Sequence, residues 1–258
     1  VAMMGATPLY LTANFILEEG FPLAAVRRIA ESMGAAARDA GVAIVAGDTK
    51  VVEQGKGDGV FIGTTGLGVL PAGRSIGGAN ARAGDVVLLS GTIGEHGVAV
   101  LSKRESLEFE TTIESDTAAL HTLVAAMLVA VPEGAVRVLR DPTRGGLGTT
   151  LNEIARQSGC GFLLQESAIP VLPQVDAACE LLGLDPMYIA NEGKLVAVVA
   201  PDCADAVLAA MRAHPLGRAA ARIGAVTDDP RRFVQMDTTL GGRRIVDWLS
   251  GEALPRIC

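Results

Sequence analysis

Three short polar clusters interrupt an otherwise apolar chain, and their residue types suit phosphate and metal chemistry. They are Gly47-Asp48-Thr49-Lys50, Asp141-Pro142-Thr143-Arg144-Gly145-Gly146 and Asn191-Glu192-Gly193-Lys194. Each sets an acid and a base beside glycine, at the end of a predicted strand. Glycine lets a backbone approach a ligand closely, and main-chain N–H groups there can cradle phosphate. The second cluster leads into a helix, whose N-terminus favours an anion. Carboxylates without cysteine or histidine partners suit Mg²⁺ held partly by phosphate oxygens. Any one cluster also reads as a solvated turn; the three together favour a phosphate-and-magnesium site.

A fourth feature is the ending Pro255-Arg256-Ile257-Cys258. A thiol on a free end can visit one active site and then another, which a core cysteine cannot do. Taken alone it reads more readily as a frayed terminus, because chain ends are usually disordered. Prenylation does not fit, because its signal needs three residues after the cysteine. Among the histidines, His96 sits in Gly94-Glu95-His96-Gly97, a loop suited to function or to structure alike, whereas His121 and His214 read as helix-face residues. No GxxxxGK[ST] loop and no GxGxxG fingerprint occurs, so any ATP site lies outside the common nucleotide folds.

These residues must be positioned by an α+β or mixed α/β scaffold. Pro22 opens a helix that Gly41 closes, with Leu23, Val26, Ile29, Ala30 and Met33 on one buried face. Residues 42–45 read as a strand that ends in the first cluster, and residues 60–69 as another. The Gly- and Ala-rich stretch 71–84 is the best domain boundary. Beyond it come strands over 85–89, 136–139, 194–200 and 221–226. Helices follow over 115–131, 147–157 and 204–213, and residues 91–97 read as a loop. Strands and helices alternate without a fixed period, which excludes a repeat protein.

At 258 residues the chain suits two domains of ordinary size. It is 49% hydrophobic but only 3% aromatic, so its core is aliphatic. A net charge of −7 argues against nucleic-acid and membrane-surface partners. Cys160, Cys179, Cys203 and Cys258 include no CxxC pair, and the first three lie in apolar stretches as small core residues. A reducing cytoplasm is the expected location. No apolar run approaches the roughly 18 residues of a membrane span. The chain opens Val1-Ala2-Met3-Met4, which reads as a fragment lacking its N-terminus.

Four segments carry a family resemblance. Val1-Ala2-Met3-Met4-Gly5-Ala6-Thr7-Pro8, Ala46-Gly47-Asp48-Thr49-Lys50-Val51, Ser90-Gly91-Thr92-Ile93-Gly94-Glu95-His96-Gly97 and Asp141 to Leu147 resemble the aminoimidazole-ribonucleotide-synthetase-like superfamily. Within it, Ala190-Asn191-Glu192-Gly193-Lys194 and the ending Pro255-Arg256-Ile257-Cys258 resemble the HypE family of hydrogenase maturation factors. The resemblance implies two α/β domains per protomer and a homodimer whose N-terminal domains share an intersubunit β-barrel. It places residues 1–78 in an incomplete N-terminal domain with the ATP site, 79–246 in a C-terminal domain, and 247–258 in a tail.

It further implies ATP-dependent dehydration of an S-carbamoyl group on Cys258 to a thiocyanate, the source of cyanide ligands for the iron of [NiFe]-hydrogenase. By the same resemblance Asp48 and Asp141 hold Mg²⁺, and Thr49, Lys50, Arg144 and Gly145 join them at ATP. Lys50, Glu192 and Cys258 carry the reaction. The implied partners are the carbamoyltransferase HypF and the HypC-HypD iron scaffold. Family members carry an Asn-Asp pair and a glycine-rich stretch before the segment that starts here at Val1, so the nucleotide site is incomplete in this chain. Two alternatives stand beside this reading. One is another ATP-using synthetase of the superfamily, of selenophosphate synthase or purine cyclo-ligase type; the other is a non-catalytic scaffold.

Overall fold

Strand formation begins at Thr7, where the apolar runs Leu9-Tyr10-Leu11 and Phe15-Ile16-Leu17 build the twelve-residue β1 (Thr7–Glu18). Helix α1 (Leu23–Asp39) follows with Pro22 at its N-cap, then β2 (Ala43–Val52) and β3 (Val60–Val69). Strand β1 lies at the centre, parallel to β2 and antiparallel to β3. The parallel pair needs a crossover, and α1 supplies it. A computed structural model describes residues 1–105 and 113–249. It divides into two units: Val1–Ala2 with Ala6–Ala72, and Met3–Gly5 with the described chain from Gly73 onward.

Two expectations fail in the first unit. The cluster Gly47-Asp48-Thr49-Lys50 does not end a strand; it lies inside β2, because pairing with Ala13 to Glu18 of β1 carries the strand on to Val52. The apolar stripe of α1 is only partly covered. Val26, Ile29 and Met33 are half-buried, but Ala30 is exposed and Leu23 is 80% exposed.

The second unit contains β4 (Val86–Leu89), α2 (Glu95–Arg104), α3 (His121–Val129), β5 (Val136–Arg140), α4 (Gly146–Ser158), β6 (Gly161–Gln165), α5 (Pro173–Leu182), β7 (Val196–Val199), α6 (Ala204–Ala213), β8 (Ala221–Thr227), β9 (Val234–Asp237) and β10 (Arg243–Ile245). Its sheet runs β10-β9-β6-β8-β4-β7-β5, with β6 and β9 parallel and every other pair antiparallel. Strands β4 and β7 are buried at every position. Val87, Leu89, Val196 and Val198 pack with Leu147, Leu151 and Ile154 of α4 on one face. On the other, α6 packs against β4 and α3 against α6. The expected aliphatic core is here, with Phe162 its largest fully buried side chain.

Two further expectations are corrected. Residues 91–97 are not all loop, since α2 starts at Glu95 and places His96 in its first turn. Residues 115–131 are not one helix. Helix α3 begins only at His121, because residues before it are held by side-chain contacts described below. Cys179 behaves as a core residue, and burial pushes its thiol up to about 11, aided by Asp176 and Asp185. Cys160 and Cys203 are half-buried free thiols. Among the described residues no helix is long and apolar enough to cross a membrane.

Candidate functional site

The second and third clusters meet in one place because β5 and β7 are neighbours. Asn191 is the joint. Its side chain is fully buried, and every polar atom it carries is bonded. The Oδ1 accepts the Gly94 N–H at 2.8 Å, and Nδ2 donates to the carbonyls of Pro142 and Ile189, each at 3.0 Å. Its own N–H donates to the Pro142 carbonyl at 3.1 Å. One asparagine therefore ties the loop after β5, the N-terminus of α2 and the approach to β7.

The loop after β5 then turns into α4 through two left-handed glycines, Gly145 (φ 77°) and Gly146 (φ 62°). A Cβ on Gly146 would stand 2.6 Å from the Met187 carbonyl and 2.7 Å from that of Ile189. Only glycine permits both the backbone conformation and this approach. No side chain caps the start of α4, and the Thr149 hydroxyl behind Gly145 is buried without a hydrogen-bond partner among the described residues. These features suit an anionic group at this helix start. Asp141 is half-exposed beside it, 3.7 Å from Arg140, which pairs more closely with Glu153 at 2.9 Å. Arg144 is exposed and Gly145 buried.

Glu192 follows Asn191 and is half-buried. Burial pushes its carboxyl pKa up; His96 opposes this, while the charges of Asp116 and Asp141 add to it. Asp116 is the residue that sequence reasoning missed. Its carboxylate, 3% exposed, accepts the N–H of Glu192 at 3.0 Å and that of Gly193 at 3.3 Å. Lys194 Nζ donates to the same carboxylate at 3.1 Å and reaches Glu95 Oε1 at 3.3 Å. The Thr92 hydroxyl donates to that Glu95 oxygen as well. His96 Nδ1 lies 2.8 Å from Ser115 Oγ, which in turn contacts Thr117 Oγ1 at 2.7 Å. A signal for Asp116 was present: Ser115-Asp116-Thr117 is a run of residues that prefer turns and caps over helix interiors.

The first cluster sits in the other unit. Asp48, Thr49 and Lys50 are exposed on β2, opposite Asn14, Phe15 and Ile16 of β1. The Asp48 N–H donates to Asn14 Oδ1 at 3.1 Å, and Asp48 Oδ1 accepts the Thr49 N–H at 2.8 Å. Strand alternation puts Asp48 and Lys50 on one face and Thr49 on the other. Cys258 lies outside the described residues. No group of three or more His, Cys, Asp or Glu side chains is placed to hold a metal among the described residues. Asp48 in the first unit and Asp141 in the second are each a hard oxygen donor of the kind Mg²⁺ takes together with phosphate and water.

Comparison with known proteins bears on this geometry. Residues 1–70 match the family model of the AIR synthase related protein N-terminal domain, and residues 82–237 that of its C-terminal domain. Over all 258 residues the chain is 74% identical to carbamoyl dehydratase HypE of Cupriavidus necator, covering 73% of that protein. A crystal structure of the hydrogenase maturation protein HypE in complex with ATP superposes with a TM-score of 0.95 at 47% identity, over all of this chain and 78% of that one. HypE in a crystallised HypE-HypF complex gives 0.92 at 49% identity, over 96% of this chain and 80% of that one. The chain belongs to the HypE family of AIR synthase related proteins.

Proposed function

We propose that this protein catalyses the ATP-dependent dehydration of an S-carbamoyl group carried on Cys258, giving a thiocyanate that supplies cyanide to the iron of [NiFe]-hydrogenase. The observation that carries the reading is Glu192, a half-buried carboxyl with a raised pKa, mounted next to the loop and helix start that suit phosphate. Relatives that match the whole chain are carbamoyl dehydratases, and one relative has been crystallised with ATP.

The chemistry follows from the leaving group. A carbonyl oxygen leaves carbon poorly, and phosphate leaves well. The carbamoyl oxygen attacks the γ-phosphorus of ATP, the bond to ADP breaks, and Glu192 takes one amide proton. The C–O bond then breaks as the second amide proton departs with phosphate, leaving S–C≡N. The balance is one carbamoyl group and one ATP consumed, and one thiocyanate, ADP, phosphate and a proton on Glu192 formed. A base whose pKa lies nearer neutrality than an ordinary carboxylate suits the proton removal. Lys50 stabilises negative charge on the oxygen or phosphate. Asp48 and Asp141 are the proposed ligands for Mg²⁺, which when bound offsets charge on the transferred phosphoryl. Thr49, Arg144 and Gly145 complete the proposed nucleotide contacts.

The assembly extends the proposal. Residues 1–78 form the domain with the nucleotide site, 79–246 the second domain, and 247–258 the segment that delivers Cys258. HypF is the carbamoyl donor, supported by the crystallised complex of relatives, and a HypC-HypD iron scaffold is the acceptor. Homodimer formation is supported by the sheet of the first unit, where Val45, Val51, Phe61, Leu67 and Val69 are each more than half exposed. Free Cys160, Cys179 and Cys203 accord with a reducing cytoplasm. Peptide mapping by mass spectrometry, after incubation with HypF, carbamoyl phosphate and ATP, is expected to find the modification on Cys258 and none in the Cys258→Ala protein. Modification of Cys160, Cys179 or Cys203 instead would sink the assignment.

A further inference from the structure

We infer that Asp116 is a positioning residue for the dehydration: its carboxylate fixes the main chain of Glu192, and the segment Ser115-Asp116-Thr117 mounts His96 and Glu192 on one frame. This rests on Glu192 being the base of the proposed function.

The geometry is that of a mount. Three donors converge on one carboxylate: the Glu192 N–H at 3.0 Å, the Gly193 N–H at 3.3 Å and Lys194 Nζ at 3.1 Å. Bonds to an ionised acceptor are the stronger kind, and burial of the carboxylate strengthens them further. Gly193 shows how close the two segments lie, since a Cβ there would stand 1.7 Å from the Asp116 carbonyl oxygen. Asn191 pins the chain on the preceding side. Glu192 thus leaves a main chain held at its own N–H and at both neighbours, so only its side-chain torsions remain to aim the carboxylate.

A buried anion needs a partner, and Lys194 supplies it. Lys194 is itself shared with Glu95 at 3.3 Å, and Glu95 belongs to the first turn of α2 together with His96. His96 is held from the other side by Ser115 Oγ at 2.8 Å, and the Thr117 N–H and hydroxyl hold that serine at 3.3 Å and 2.7 Å. The residues adjoining Asp116 therefore set the imidazole, while Asp116 sets the carboxylate. The charged groups acting on Glu192 are His96, Asp116 and Asp141, so a change at Asp116 alters both its placement and its field.

The test is the pH dependence of thiocyanate formation on Cys258 in the full-length protein, carbamoylated by HypF and followed by quenched mass spectrometry. Asp116→Asn is expected to lower kcat about 10- to 100-fold, as an ångström-scale misplacement does, with the KM for ATP changed less than about twofold, because no step of nucleotide binding is assigned to Asp116. Removing a negative charge beside Glu192 also lowers its pKa, so the acidic limb moves to lower pH. A merely structural role loses rate only in proportion to the folded fraction and leaves kcat per folded molecule unchanged. An unmoved limb in Asp116→Asn, or a wild-type rate, overturns the inference. Glu192→Gln is run alongside: if it stays active the base assignment fails and the inference with it, whereas an inactive Glu192→Gln beside a wild-type-like Asp116→Asn overturns the positioning role alone.

Discussion

In the three-stranded sheet, every residue of β2 but Val52 is exposed, and so is every residue of β3 but Val60. In the seven-stranded sheet, β4 and β7 are buried throughout. Each sheet carries acids and a lysine assigned to the reaction or its frame, yet they are held in different ways. Asp48 and Lys50 are aimed by strand alternation, with Asn14 and Thr49 the contacts that Asp48 makes. Glu192 is held by its surroundings: Asp116 takes its N–H and pairs with Lys194, Lys194 reaches Glu95, and Asn191 pins the chain on the preceding side. Exposed strands leave a residue free to meet a ligand or a second chain. Buried clamps hold a group still while a proton moves, and they make the local fold depend on every member.

The contrast breaks most directly at Asn191. Replacing it with alanine strands the Gly94 N–H and the Ile189 carbonyl and weakens the tie to Pro142. Each buried group left without a partner costs about 1–3 kcal/mol, so Asn191→Ala is expected to lose roughly 3 kcal/mol in urea unfolding. A loss below about 0.5 kcal/mol, typical of surface changes, would show that the frame is dispensable. The opposite behaviour is expected of the exposed sheet. Phe61→Asp is predicted to leave far-ultraviolet circular dichroism unchanged while light scattering reports a monomer in place of a dimer. A dimer that survives this change would remove the exposed face as the interface.

Much of this arrangement was readable from the residues. The strand Val60–Val69 and the helix Ala204–Ala213 have the limits expected of them. Gly145 and Gly146, singled out beside Arg144, occupy left-handed positions at the start of α4. What failed depended on partners distant in sequence. Residues 47–50 read as a turn because glycine and aspartate disfavour strands, but pairing with β1, itself not foreseen, overrides that preference. Residues 115–120 read as the start of a helix running to 131. Asp116 instead reaches Glu192, 76 positions on, and Ser115 reaches His96. The turn-prone run Ser115-Asp116-Thr117 marks a break in the helix but does not name its distant partner, which is why Asp116 and Glu95 were absent from the candidate site while Glu192 was present.

The most direct measurement is the intact mass of the Glu192→Gln protein over time with HypF, carbamoyl phosphate and ATP, compared with wild type across pH. With Glu192 as base, the wild-type rate falls as pH drops through a pKa above the ordinary carboxylate range, because only the deprotonated form accepts the amide proton. Glu192→Gln is then predicted to accumulate carbamoylated Cys258 and to form thiocyanate about 10² to 10⁴ times more slowly. Thiocyanate formed at the wild-type rate, with the acidic limb unchanged, would contradict it.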